Sequence, residues 1–429
     1  MLDIKLIRET PDIVRENLER RHDKDKLKLL DKVLKVDEKW RKLTAEVNDL
    51  RSKRNATSIE IANLKKEGRE KDAEAKIKEA ARIPVRIRQL ESKQEQLAEE
   101  LRIGLMSLPN MLHESVPFGK DDHDNLEVRR VGEPPAFGFE PRNHVDILND
   151  LGLMDEERAA KVAGSGFVYL KGQLAMLDLA IQRFALEFLI KRGFMVVEPP
   201  FMMNRKSYEG VTDLGDFGNV MYKIEGDDLY LIATSEHPMG AMYRDEILDK
   251  RQMPMRFAGI SPCFRREVGA HGKYTKGLFR MHQFNKVEQF VFCLPEQSWQ
   301  LHEELQKNSE DLYRALGLHY RVVNVCTGDI GSIAAKKYDT EVWMADGQFR
   351  EIGSNSNCTD YQARRLNIRW REAPNNPVMG VVHTLNNTAL ATSRTMLAII
   401  EQFQQADGTI RIPEALRPYM DGAEFIGKK

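Results

Sequence analysis

The stretch Met255–Phe292 gathers charge, an aromatic ring and glycine: MRFAGISPCFRREVGAHGKYTKGLFRMHQFNKVEQFVF. Two β-prone runs, Met255–Phe264 and Val287–Phe292, bracket a Gly-, Lys-, Arg- and His-rich loop, Gly269–Arg280. Most hairpin loops hold ~2–5 residues, so one this long on a rigid hairpin is a functional candidate. Arg265, Arg266 and Glu267 precede the loop; Arg280, Met281, Phe284 and Glu288 end or follow it. A guanidinium fork matches phosphate and stays charged. An aromatic face can stack on a flat ring, and an Arg over the other face adds cation–π attraction. Cations, a ring and two carboxylates on one hairpin suit an anionic planar ligand such as a nucleotide. Neither G-x-G-x-x-G nor G-x-x-x-x-G-K-[ST] occurs, so a sheet surface must do the holding.

The spacing F-R-x-E, then a basic loop, then R-x-H-Q-F-x-K-V-E resembles the second signature motif of class II aminoacyl-tRNA synthetases, in detail that of the seryl-tRNA synthetase family. The resemblance covers essentially the whole chain. It implies that Arg265 meets the ATP α-phosphate and the substrate carboxylate, that Glu267 reads the adenine amino group and that Phe284 stacks on the base. Arg266, Arg280 and Met281 join the ATP site. Arg394, in LNNTALATSRTM, resembles the third-motif Arg that covers the other face of the base and meets the γ-phosphate. Glu351-Ile352-Gly353-Ser354 stands where the family has E-I/L-x-S, which implies that Glu351 and Ser354 hold Mg²⁺. Gly353 departs from the usual Ser and is expected to act only through its backbone. Thr234-Ser235-Glu236 resembles the T-x-E loop that closes over the amino acid, with Glu236, Glu288, Asn386 and Thr388 completing a serine site. Thr388 takes a position often filled by Ser, and His237 departs from the Val common in bacterial sequences.

The elements that must position these residues are legible in outline. Residues 1–100 contain 26 Lys+Arg and 22 Asp+Glu. Thr10-Pro11 reads as a helix start, with Thr10 capping a helix that runs to about Arg21. Val33, Trp40, Val47 and Ile61 recur in sevens, as do Leu29, Val36, Leu43, Leu50 and Leu64, with Arg54 and Thr57 as weak members. After a tip at Lys65–Arg69, Ala80, Ile87 and Leu101 with Ile83, Leu90 and Leu97 form a second seam. Two seams around Gly68 predict an antiparallel coiled-coil hairpin, with Pro84 bending the second helix. In the family such an arm grips the long variable arm of serine tRNA. Lys53, Arg54, Lys65, Lys66, Arg69 and Lys76 are the candidate phosphate contacts, although a solvated helical face has the same composition.

Leu174, Leu177, Ile181, Phe184 and Phe188 share one helical face, and a strand Phe194–Glu198 runs into Pro199-Pro200. This resembles the first signature motif, which builds a homodimer around Pro200. Further β-like runs, Leu229–Thr234, Tyr320–Cys326, Glu341–Ala345 and Gln348–Gly353, follow one another with few helices between, His302–Leu316 being the main one. Most of these strands should therefore pair antiparallel. The expected fold is α+β, a class II synthetase antiparallel sheet flanked by helices, preceded by the coiled-coil arm. The expected divisions are 1–104 for a tRNA-binding helical domain, 105–140 for a Pro-, Gly- and Asp-rich linker and 141–429 for the catalytic domain.

The 429 residues carry a net charge of −1, so global charge does not point to nucleic acid. The four cysteines have no C-x-x-C spacing; reduced, mostly buried thiols without zinc are expected. The amino terminus lacks an apolar signal core, and no apolar run reaches the ~18 residues of a membrane helix, so a cytoplasmic protein without a membrane partner is expected. The resemblance implies an ATP- and Mg²⁺-dependent ligase for L-serine and tRNA(Ser), and for tRNA(Sec) where the organism has one. Two rivals are an amino acid:carrier-protein ligase on the same core and a non-catalytic RNA-binding paralogue. The arm argues against the first; Arg265, Glu267, Glu351 and Arg394 argue against the second.

Overall fold

A computed structural model describes residues 1–213, 218, 220–267 and 277–427. Most of the basic loop expected at Gly269–Arg280, up to residue 276, lies outside the described residues. The chain divides into two compact units, Met1–Pro109 and Asn110–Lys429.

The first unit is helical: α1 (Ile4–Glu9), α2 (Pro11–Arg20), α3 (Lys24–Lys66), α4 (Glu70–Ala80) and α5 (Arg82–Ser107). Helix α3 has 43 residues, about 65 Å at 1.5 Å per residue. Asp23 caps it, accepting from the Asp25 and Lys26 amides at 3.1 and 3.0 Å. The expected seam is present: Val33, Val36 and Val47 on α3 and Ile87 and Leu90 on α5 are buried. Lys32–Glu100, Arg51–Glu91 and Lys76–Glu60 pairs join residues whose numbers rise on α3 as they fall on the return, the signature of an antiparallel hairpin. Gly68 turns the tip at φ +79°, a conformation other residues adopt only at a cost.

Two local expectations differ. Thr10 stands at the N-cap of α2 and Pro11 opens it, as expected, but the Thr10 hydroxyl makes no capping bond to α2; it donates to the Leu6 carbonyl at 3.0 Å and so closes α1. Pro84 does not bend a continuous helix. The return is broken at Ala81, and Pro84 sits in the first turn of α5, where its missing N–H has no helical partner to lose.

The second unit is built on an eight-stranded sheet: β1 (Leu126–Val131), β2 (Met195–Val197), β3 (Met255–Phe264), β4 (Gln283–Cys293), β5 (Tyr320–Asn324), β6 (Lys336–Trp343), β7 (Phe349–Thr359) and β8 (His383–Ala391). The order is β1-β5-β6-β7-β8-β4-β3-β2, antiparallel except for the β2–β3 pair. Strand β1 lies inside the segment expected to be a linker. It pairs with β5 as an exposed edge strand, so it lacks the apolar alternation that marks a half-buried one. Strands β6 and β7 are longer than their apolar runs, because their polar residues also hold register.

Helices α6 (Gln173–Ile190), α7 (Ser298–Ala315) and α8 (Thr392–Gln402) bury apolar side chains in one cluster with the sheet. Strand β4 shows how the faces divide. Val287, Val291 and Cys293 join that cluster. Phe290 and Phe292 point the other way into a second cluster with Tyr208, Ile232 and Phe257. By the period of two, Phe284, Lys286 and Glu288 share this second face, so the strand passes from charged to apolar along it. All four cysteines are free and buried.

Candidate active site

The site lies on the sheet face opposite α6. Two cavities meet there. The larger, about 310 Å³, is lined by Thr234, Glu236, Arg265, Glu288, Glu351, Ser354, Asn386 and Thr388, and also by His237, Lys286, Lys337 and Cys358. The smaller is lined by Arg265, Glu267, Met281, Phe284, Ile352, Gly353 and Arg394, with Phe279. Arg265, Lys286, Glu351 and Thr388 line both.

Register explains the convergence. Glu288 lies opposite Gly259 on β3 and opposite Thr388 on β8, whose hydroxyl donates to its carboxylate at 3.5 Å. A Cβ at Gly259 would meet the Met239 methyl at 2.5 Å and the Ser235 hydroxyl at 2.9 Å, so a larger residue there would force Met239 and Ser235 to shift. Glu351 and Ser354 are three residues apart, and an unbroken strand would place them on opposite faces. Strand β7 has a bulge here: Thr340 pairs with Gly353 and Glu341 with Glu351, which leaves Ile352 unpaired. The extra residue resets the alternation, and both side chains reach one cavity.

The electrostatics are those of a charged pocket, buried at Glu288 and Lys286 and open at Glu351, whose side chain is 49% exposed. Glu236 accepts from Asn386 and Gln362 amides at 3.0 and 3.1 Å; burial, then the neighbouring Glu288, push its carboxyl up to about 7. Glu288 forms a buried ion pair with Lys286, and burial pushes its carboxyl up as well. Glu351 goes the other way: burial would raise it, but Arg394, Lys337 and Arg265 together hold it below the ordinary carboxylate value. Arg394 donates to the Glu351 carbonyl at 2.6 Å and lies 3.5 Å from its carboxylate. Burial drives His237 down to about 3, so it is a neutral ring here.

Some expected members stand elsewhere. Ser235 is buried behind the cavity with its hydroxyl 3.5 Å from the Gly259 carbonyl. Arg266 lines neither cavity, and its amide donates to the Val220 carbonyl at 2.8 Å. Arg280 faces a third hollow beside Glu156 and His282 and donates to Glu267 at 2.5 Å. The ring sandwich expected between Phe284 and Arg394 is arranged differently: Arg265 lies 5.4 Å from the Phe284 ring centre, and Arg394 lies 4.9 Å from that of Phe279.

The sequence of the tRNA synthetase class II core domain (G, H, P, S and T) matches residues 221–403, and that of the seryl-tRNA synthetase N-terminal domain matches residues 1–112. A Serine--tRNA ligase of Methanocella arvoryzae is 56% identical over 427 residues, covering 99% of this chain and 100% of its own. The chain belongs to the seryl-tRNA synthetase family. Within that family, a crystal structure of the Pyrococcus horikoshii enzyme complexed with ATP superposes with a TM-score of 0.95 at 47% identity, covering 99% of each chain. The cytoplasmic Naegleria fowleri enzyme in complex with AMP gives 0.88 at 37%, covering 99% of this chain and 98% of that one. The family match spans both sheet and arm, as the motifs indicated.

Sequence reasoning missed Lys286, Phe279 and Lys337 as lining residues. Lys286 had a signal: it sits midway between Phe284 and Glu288 on a strand, so period two puts it on their face. Phe279 and Lys337 had none, because their place depends on Arg394 and on strand register.

Proposed function

We propose that this member of the seryl-tRNA synthetase family activates L-serine with ATP to seryl-adenylate and pyrophosphate, and then transfers serine to the 3′ end of tRNA(Ser), and of tRNA(Sec) where the organism has one. The observation that carries the reading is the meeting of the two cavities at Arg265 and Glu351. One has two carboxylates, buried Glu288 and half-buried Glu236, for a small zwitterion. The other has Arg, Phe and Glu for a nucleotide. Relatives named Serine--tRNA ligase and a neighbour complexed with ATP support it. Serine-dependent ATP–pyrophosphate exchange, followed by charging of tRNA(Ser), tests it.

In this reading Glu236 and Glu288 receive the ammonium group and accept from the hydroxyl, with Thr234, Asn386 and Thr388 closing the pocket. Glu267 reads the adenine amino group, Phe284 stacks on the ring, and Arg394 meets the γ-phosphate. Met281, Ile352 and Gly353 form the walls. Ser235 acts by packing under the loop, and Arg266 and Arg280 act on the approach to the phosphates. Arg265 draws the serine carboxylate and the α-phosphate together. A carboxylate oxygen attacks phosphorus, the bond to the β-phosphate oxygen breaks, and pyrophosphate leaves. The terminal ribose hydroxyl of tRNA then attacks the acyl carbon, and AMP departs. No protein nucleophile is needed, because positioning and charge supply the rate. Glu351 and Ser354 present only oxygen donors to the cavity, a set that suits Mg²⁺. When bound, that ion neutralises phosphate charge.

The helical residues 1–104 serve as the tRNA grip, 105–140 as connector and 141–429 as the catalytic body. Lys53, Arg54, Lys65, Lys66, Arg69 and Lys76 lie on the hairpin. Lys53, Arg69 and Lys76 form ion pairs with Asp49, Asp72 and Glu60, mostly exposed. Such pairs contribute only ~0.2–1 kcal/mol each and can be exchanged for phosphate. Removing Asp23 to Ile103, with a short joining linker, takes away these cations and none of the cavity residues. Pyrophosphate exchange should survive, while charging falls about 10²-fold or more, because phosphate contacts supply most of such affinity. Equal loss of both activities on one preparation would mean that the arm supports the body's fold; equal retention would mean that it is not the grip.

The dimer forms around Pro200. Met195 and Val196 are consecutive on β2 yet 64% and 40% exposed, and Leu179 and Ile190 on α6 are exposed too. Strand β2 ends the sheet order, and an edge strand with apolar side chains exposed on both faces is ready to take a partner. Met195→Glu with Val196→Glu should convert dimer to monomer in sedimentation; an unchanged dimer would move the interface elsewhere. No helix among the described residues is long and apolar enough to cross a membrane, and we assign the protein to the cytoplasm.

A further inference from the structure

Lys286 is a buried cation at the junction of the two cavities. Its side chain is 7% exposed and that of its ion-pair partner Glu288 is 1% exposed. It sits between Ser261 on β3 and Ala391 on β8. The groups that bear on Glu288 are Lys286 on its own strand, Arg265 at the end of β3, Cys263 within β3, Glu236 from the facing loop, Thr388 on β8 and Tyr313 from α7 behind the sheet. Cys263 and Tyr313 are held neutral by burial. The charged groups bearing on Glu288 are therefore Lys286 and Arg265, with Glu236, whose carboxyl is itself raised to about 7; Glu351 and Lys337 add one further carboxylate and one cation to the same cavity. A zwitterionic amino acid, itself neutral, enters without upsetting that balance. Without Lys286, two carboxylates would face Arg265 alone, and the incoming carboxylate would meet excess negative charge. A buried carboxylate that loses its partner takes up a proton rather than stay charged. A protonated Glu288 would donate where it must accept, and would attract an ammonium group only weakly.

We propose that Lys286 is a positioning and specificity residue for the amino acid: it holds Glu288 ionised, so that Glu288 can accept from the substrate's ammonium and hydroxyl, and it balances the pocket for a zwitterion. The proposal rests on the reading of the larger cavity as the amino-acid pocket.

The test is pyrophosphate exchange by full-length protein between about pH 6 and 8.5, a range that runs from below to above the Glu236 carboxyl, which is raised to about 7. Lys286→Met should raise the serine KM about 10²-fold at neutral pH, the size seen when one partner of a buried charge pair is truncated. The ATP KM should change little. The serine KM of this variant should fall back as pH rises, because Glu288 then loses its proton. Lys286→Arg keeps the charge and should restore most of the serine affinity. The pair Lys286→Met with Glu288→Gln leaves no unpaired charge and so keeps the fold; its serine KM should be high and insensitive to pH over the upper part of the range. An unchanged serine KM in Lys286→Met would overturn the proposal, as would equal, pH-independent rises for serine and ATP. If Lys286→Met fails to fold, a normal serine KM in the double variant would overturn it equally. Unaltered protein that exchanges no pyrophosphate with serine would sink the reading of the cavity itself. Serine-active unaltered protein with indifferent variants sinks the role of Lys286 alone.

Discussion

Alanine should support pyrophosphate exchange ~10⁴–10⁵-fold less efficiently than serine. The two amino acids differ by one hydroxyl, and a purely apolar pocket would separate them only weakly. Here Glu288 and Thr388 are 1% and 7% exposed and lie opposite each other on paired strands. With serine bound, the hydroxyl gives Glu288 a donor. With alanine bound, the same buried carboxylate faces a methyl group and loses one of its donors, keeping only Lys286 and Thr388. Threonine carries the hydroxyl and must be rejected by shape, through the walls made by Asn386, Thr388 and Cys358. The measurement is kcat/KM in exchange with each amino acid in turn. Comparable values for serine and alanine would refute the pocket as described.

Arg265→Ala should lower exchange by ~10²–10³, or ~2.7–4 kcal/mol, which is typical for one preorganised donor aimed at charge that develops in the transition state. Among the described residues, Arg265 is the arginine that lines both cavities. The variant should still fold. The side chain's described contacts are a bond to the Ala233 carbonyl at 3.3 Å and the face of Phe284, while its backbone amide still donates to the His282 carbonyl. Circular dichroism and exchange on one preparation separate the two effects. Near-normal exchange would show that the phosphate clamp is misassigned, and loss of helical signal would show that Arg265 holds structure.

Local patterns carried a large part of this protein. The coiled-coil hairpin was written in two rows of apolar residues and one glycine, because a helix's period is set by its own near neighbours. The central hairpin was legible for the same reason: β3 and β4 are apolar runs either side of a marked loop. The order F-R-x-E, R-x-H-Q-F-x-K-V-E and E-I-G-S was enough to point to the family. What the chain alone left open depends on partners far away in sequence. Pairing of Thr340 with Gly353 creates the bulge that brings Glu351 and Ser354 together, and no local pattern announces a missing pairing. Lys286 reads as one of many lysines until strand alternation puts it beside Glu288 and burial makes the pair consequential. Phe279 under Arg394, and β1 recruited to the sheet edge from a segment that looks like a connector, were likewise decided by tertiary contact. A residue's type and period specify which face it can take; only register and packing specify whom it meets there.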